Sequence, residues 1–241
     1  MNLIEFGIEP YQPMNELQQR IARWRHQGLV DDTLLLLEHT PTITLGRRAN
    51  QDNIVAEPAQ LQSEGIDVCH IERGGDVTYH GPGQLVGYPI IHLPSHGLGA
   101  SDYMHRLEDV VASTLEEYGI ATHRRPGVIG VWVGDNKICA LGVRIRQGVT
   151  FHGFALNLAP NTHHWSLIVP CGIRDGGVTS MASEMRNPPT MSALRDRIAT
   201  HFCRAFHTTM RRTTVDGIRP EAVADTEPTV AQPVSRRDQQ P

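Results

Sequence analysis

No stretch of about 18 apolar residues occurs anywhere in the 241, so no membrane-spanning helix is expected. The first ten residues carry Glu5 and Glu9 and no apolar core, so no secretory signal is expected either. Cysteine is scarce and scattered. Cys69, Cys139, Cys171 and Cys203 form no CxxC pair, which argues against a zinc site or a redox dithiol. Without an export signal they are expected to be reduced thiols of a cytoplasmic protein. Neither sign of charge dominates: 22 Lys and Arg face 26 Asp and Glu, a net charge of −4. That balance offers no global attraction to nucleic acid or to an anionic membrane. P-loop, GxSxG and GxGxxG patterns are all missing, and so are internal repeats. The 39% of hydrophobic residues suffice for one sizeable core, so the chain reads as a soluble enzyme or binding domain.

What is present is ordered by periodicity. Met14, Leu17, Ile21 and Trp24 fall at helical spacing, and Gly28 stops that helix. Asp32 to Leu45 reads as two strands around a turn at His39-Thr40-Pro41. Asn50 to Gly65 reads as loop with a short helix. Asp67 to Leu93 is strand-rich and broken by Gly74-Gly75 and Gly81-Pro82-Gly83. Asp102 to Tyr118 is an amphipathic helix closed by Gly119. Val128 to Leu158 predicts a three-stranded antiparallel meander with turns at Gly134-Asp135-Asn136 and Gln147-Gly148. A last helix runs from Thr190, a candidate N-cap, to about His207. Residues 219–241 are poor in large apolar side chains and are expected to be a disordered tail behind a single domain, 1–218. Hairpins and a meander with segregated helices predict α+β with a mostly antiparallel sheet.

Three clusters could carry chemistry. The run Arg73-Gly74-Gly75-Asp76-Val77-Thr78-Tyr79-His80-Gly81-Pro82-Gly83-Gln84 holds more glycine than tight turns need, which permits close approach of a ligand to backbone. Lys137 opens the strand Lys137 to Gly142, and alternation puts Cys139 on its face. A lone lysine after a turn is ordinarily a solvated surface charge. Cys171 sits between Pro170 and Gly172 on a loop, where reactive groups concentrate, whereas the other cysteines lie in strand-like or helical runs that explain them by packing. The 13 histidines show no metal-ligand spacing, and His80 and His152 stand apart because each adjoins a motif.

Taken together, these runs resemble the lipoyl(octanoyl) transferase family. The matching segments are RGGDVTYHGPGQLVGYP from Arg73 to Pro89, KICALGVRI from Lys137 to Ile145, FHGFALNL from Phe151 to Leu158, and VPCGI from Val169 to Ile173 with VTS at Val178 to Ser180. EHTPTITLG, Glu38 to Gly46, fits the family's early strand pair, and the VPCGI and VTS pairing is most similar to the actinobacterial type. The resemblance implies a biotin/lipoate protein ligase-like fold. It implies transfer of octanoyl from octanoyl-acyl carrier protein, through a cysteine thioester, to lysines of lipoyl domains. The acceptors would be the 2-oxoacid dehydrogenase complexes and the glycine cleavage H protein. It implies no cofactor and no metal, and a monomer is expected. The nucleophile would be Cys171 and its partner Lys137. The acyl pocket would be drawn from Arg73, Gly74, Gly75, Asp76, Val77, Thr78, Tyr79 and His80, with Ala140, Leu141, Gly142, Gly153, Phe154 and Ala155. The position of Asp76 varies within the family. An ATP-dependent lipoate-protein ligase of the same fold is the alternative; it would not need Cys171.

The chemistry sets its own requirements. Exchange of one thioester for another is near even in energy, and aminolysis to an amide is downhill, so no ATP is required. A free thiol, pKa about 8.5, and an amine, about 10.4, are both mostly protonated near neutrality, so each step needs a base. Lys137 could be that base if burial or a neighbouring cation lowers its pKa towards ~7–8, or it could pair as a cation with the thiolate.

Overall fold

Leu34 to Leu37 are all fully buried, the mark of a strand covered on both faces. The computed structural model describes residues 1–169 and 176–221. In chain order it contains β1 (Asn2–Glu9), α1 (Tyr11–His26), β2 (Thr33–His39), β3 (Thr42–Leu45), α2 (Pro58–Ser63), β4 (Asp67–His70), β5 (Val77–His80), β6 (Gln84–Ile90) and α3 (Ala100–Glu117). It continues with β7 (His123–Arg125), β8 (Val128–Val133), β9 (Asn136–Arg146), β10 (Val149–Asn157), β11 (Gly177–Val178), α4 (Met181–Glu184), α5 (Met191–Ala205) and β12 (Arg211–Arg212).

Nine of the described strands form one sheet in the order β12-β1-β2-β6-β10-β9-β8-β7, with β11 added to β9. The span from β2 to β7 is antiparallel throughout. β1 pairs in parallel with β2 and β12, and β11 in parallel with β9. Alternation then sorts β2 between two cores. Leu34 and Leu36 face α3 and α5, where they meet Leu107, Val111, Leu115, Ile198 and Phe202. Leu35 and Leu37 face α1 and meet Leu17, Ile21 and Trp24. At about 1.5–3 kcal/mol per fully buried large side chain, these two layers dominate the stability of the fold.

A second, three-stranded sheet, β4-β3-β5, carries a small core of its own from Ile43, Leu45, Leu61, Val77, Tyr79, Leu167 and Ile168. The two strands expected around His39-Thr40-Pro41 therefore do not pair with each other. β2 belongs to the large sheet and β3 to the small one. The meander over β8, β9 and β10 is as expected. So are α3, closed by left-handed Gly119, and α5, whose Thr190 hydroxyl accepts from the Ala193 amide. The expected tail falls mostly on 222–241, outside the described residues.

Candidate functional site

One irregularity positions Lys137. β8 and β9 pair Trp132 with Lys137 and Val131 with Cys139, so β9 carries one extra residue in that interval. Such a bulge breaks alternation locally. Ile138 and Cys139 both turn to the core that holds Val131, while Lys137 joins Ala140 on the opposite side. The expectation that Lys137 and Cys139 share a face is corrected by this bulge. The Cys139 thiol is fully buried, and that burial pushes its pKa far above the ordinary range, which disqualifies it as a nucleophile. Lys137 is only 7% exposed, and its Nζ lies 4.9 Å from the centre of the Trp132 ring. It is also the only lysine among the 241 residues, a signal that the spacing of motifs passes over.

Lys137 lines a cleft of about 270 Å³ together with Thr78, Ala140, Ala155, Asn157, Trp165 and Ser180. A narrower slot of about 50 Å³ adjoins it and shares Thr78, Ala140 and Ala155. The slot runs on between the large and small sheets, past Arg73, Gly74, Gly75 and Gly142, to Tyr11, His80, Tyr88, His152 and Gly153. A buried polar chain follows it. His80 Nδ1 lies 2.8 Å from Gln84 Oε1, Gln84 Nε2 donates to Asn157 Oδ1 at 2.9 Å, and Asn157 Nδ2 donates to the Thr179 carbonyl. The Thr179 amide donates to the carbonyl of Lys137. Burial lowers the pKa of three histidines here: His39 to about 4, His152 to about 3, and His80 well below its ordinary value.

The expected site residues divide by where their strands turn them. Thr78 and His80 face the slot. Val77 and Tyr79 face the small core, and the Tyr79 hydroxyl lies 2.6 Å from His164 Nδ1. Asp76 lines neither cavity; its carboxylate accepts from the Asn50 amide and from Asn53 Nδ2, bracing the loop after β3. Arg73 lines the slot and ties the glycine loop to β3, donating to the Thr44 carbonyl and hydroxyl and to the Asp76 carbonyl. Leu141 and Phe154 line the slot although their side chains pack with α3 and α5.

The glycines were expected to leave room for a ligand. At Gly153 a Cβ would sit 2.2 Å from the Gly87 carbonyl oxygen, so that glycine serves close packing of backbone. Gly142 faces the Arg73 side chain, 3.2 Å from where its Cβ would lie. Cys171 lies outside the described residues. Described residues on either side of 170–175 reach the cleft: Ser166 and the 176–180 segment line it, and β11 pairs Val178 with Lys137. Asn157 and Tyr88, which complete these cavities, were not singled out from the sequence although both lie inside the quoted motifs.

Comparison with known proteins places the chain in a family. The lipoyl protein ligase A/B catalytic domain matches residues 10–203. The chain is 48% identical over 209 residues to an octanoyltransferase of Chloroflexus aggregans, covering 86% of this chain and 95% of that one. It is 43% identical over 203 residues to an octanoyltransferase of Desulforamulus reducens, covering 84% and 89%. A crystal structure of lipoate-protein ligase A bound with ATP superposes with a TM-score of 0.72 over 94% of each chain, at 15% identity, which is a likeness of fold. The chain thus belongs to the lipoyl protein ligase A/B catalytic-domain family, among its octanoyltransferases, the acyltransferases of protein lipoylation.

Proposed function

We propose that the slot holds the octanoyl chain, that the cleft holds its thioester carbonyl, and that the group passes through Cys171 with Lys137 as acid and base. The observation that carries this reading is Lys137 itself. The only lysine of the chain is sunk in the cleft, at the mouth of the slot, on the strand to which the segment following Cys171 returns. The donor is octanoyl-acyl carrier protein. The acceptors are lipoyl domains of 2-oxoacid dehydrogenase complexes and the glycine cleavage H protein.

In the first half-reaction the Cys171 thiol gives its proton to neutral Lys137, and its sulfur attacks the donor carbonyl. The carrier thiolate leaves and takes the proton back from the Lys137 ammonium. In the second, Lys137 removes a proton from the neutral acceptor amine as it attacks, and the departing Cys171 thiolate takes that proton from the Lys137 ammonium, which restores thiol and amine. Each methylene buried in the slot contributes about 0.8 kcal/mol, which selects for chain length.

The test is incubation with octanoyl-acyl carrier protein without acceptor. It should give a hydroxylamine-sensitive octanoyl adduct on Cys171 that a lipoyl domain discharges, and Cys171→Ala should lose both adduct and transfer. Ala140→Leu, where slot and cleft meet, should lower kcat/KM for octanoyl transfer at least tenfold, about 1.4 kcal/mol. An adduct on another residue, full transfer by Cys171→Ala, or transfer from free octanoate and ATP would overturn the proposal.

A further inference from the structure

Polar side chains crowd the far end of the slot, and His152 differs from its neighbours there. His39 Nε2 lies 2.6 Å from the Tyr88 hydroxyl, and its Nδ1 lies 2.9 Å from the Glu9 carbonyl. His80 is matched to Gln84. His152 is 2% exposed, and neither of its ring nitrogens has a hydrogen-bond partner among the described residues. A buried polar group in that state is a folding cost that a native structure seldom tolerates without a use.

The backbone is irregular at the same residue. Along β10, alternation would turn His152 with Phe154 and Leu156 towards α3 and α5. Instead its φ is +57°, a left-handed conformation inside a strand, and its ring lines the slot beside Gly153 and Ala155. The pairing of β10 with β6 ends at Phe154, and the His152 amide donates to Gln18 Oε1 on α1 at 2.8 Å. Strained backbone and an anchoring glutamine are thus spent on presenting an unmatched imidazole to the slot.

Its position matches the far end of the proposed substrate. His152 lies three residues along β10 from Ala155, about 10 Å at the rise of a strand, which is the length of an extended eight-carbon chain whose carbonyl lies in the cleft. Burial first, and then the charge of Arg73, keep the ring neutral, with one N–H and one lone pair. A terminal methyl group matches neither.

We propose that His152 reads the end of the acyl chain, so that the slot accepts, besides octanoyl, eight-carbon acyl groups bearing a hydroxyl on the terminal carbon. The proposal rests on the reading of the slot as the acyl site.

The test compares kcat/KM for octanoyl and 8-hydroxyoctanoyl thioesters of acyl carrier protein in wild type, His152→Phe and His152→Asn. Burying a hydroxyl without a partner lowers affinity on the order of 10–100-fold. His152→Phe is therefore expected to shift the hydroxyoctanoyl-to-octanoyl ratio down at least about tenfold. His152→Asn, which tolerates the left-handed backbone and keeps a donor and an acceptor, is expected to recover part of it. A ratio in wild type as low as in His152→Phe overturns the inference.

Should His152→Phe fail to fold, the wild-type ring decides the matter. The His152 nitrogen resonances, assigned by their loss in His152→Asn, are expected to shift with 8-hydroxyoctanoate and not with octanoate. An equal response to both overturns the inference. Octanoyl turnover that survives Ala140→Leu unchanged instead overturns the slot reading. Turnover sensitive to Ala140→Leu with a ratio indifferent to residue 152 overturns this inference alone.

Discussion

β9 and β10 are regular in the middle and irregular at Lys137 and His152, the two positions proposed to meet the substrate. Between Cys139 and Val143, and between Gly153 and Leu156, the pairing runs without a break. There the faces separate cleanly: Cys139, Phe154 and Leu156 go to the α3–α5 core, while Ala140 and Ala155 go to the cavities. At one end a bulge turns Lys137 into the cleft, and at the other a left-handed residue turns His152 into the slot. The regular stretch supplies small residues that leave space, and the breaks supply the buried groups with chemistry. In these two strands the irregular backbone carries the residues proposed to act on the substrate, and the regular backbone builds the walls around them.

That contrast can be broken at either kind of position. Lys137→Arg introduces a permanent positive charge and removes the proposed neutral base, so kcat should fall on the order of 10²–10⁴-fold with little change in melting temperature. Near-normal rates would reduce Lys137 to an ion-pairing role. On the opposite face, Phe202→Ala empties a fully buried aromatic site, and unfolding free energy should drop by about 3–5 kcal/mol in a denaturant titration, with kcat of the folded enzyme retained. A kcat loss there would mean that the two faces are coupled.

Gly153→Ala drives a Cβ into the Gly87 carbonyl and the Pro89 ring, and should cost about 1–3 kcal/mol. Unchanged stability would show that the strands part easily and that the glycine serves the ligand after all.

The most gradual effect is in pH. His39 and His152 titrate near 4 and 3 when folded and near 6.5 when unfolded, so below about pH 6.5 the unfolded chain binds the extra protons. Stability should therefore fall on acidification by about 1.4 kcal/mol per pH unit per histidine until the folded pKa is reached. His152→Asn should remove its share of the slope, and a melting temperature flat from pH 7 to 5 would contradict the burial of both rings.

The sequence made legible whatever rests on short-range pattern. The meander, α3, α5 and the capping role of Thr190 follow from spacing and turn residues. β1 was hidden in the sequence, because its parallel pairing with β2 across α1, and with the distant β12, leaves no hairpin signal. The separation of β2 from β3 was hidden for the same reason: a tight turn at Thr40-Pro41 serves a change of sheet as well as a hairpin. Among the candidate site residues, the glycine-rich run could be read as a cluster. That Val77 and Tyr79 face away from the slot, while Thr78 and His80 face it, required knowing which side of β5 was covered. The bulge at Lys137 defeated strict alternation, since Lys137 and Ala140 are three residues apart on one side of a strand.

The solitary lysine has a consequence for the protein's own surface. Acyl thioesters, the proposed donors and intermediate, are indiscriminate reagents towards accessible amines, and an enzyme handling them is constantly exposed to them. Here every side chain that is cationic near neutrality, apart from this lysine, is a guanidinium, too strongly protonated to attack a carbonyl, and the lysine amine is buried. The folded exterior therefore presents no lysine on which misdirected acyl groups could accumulate. Lysine-directed labelling across these 241 residues would report on a single group, the amine in the cleft.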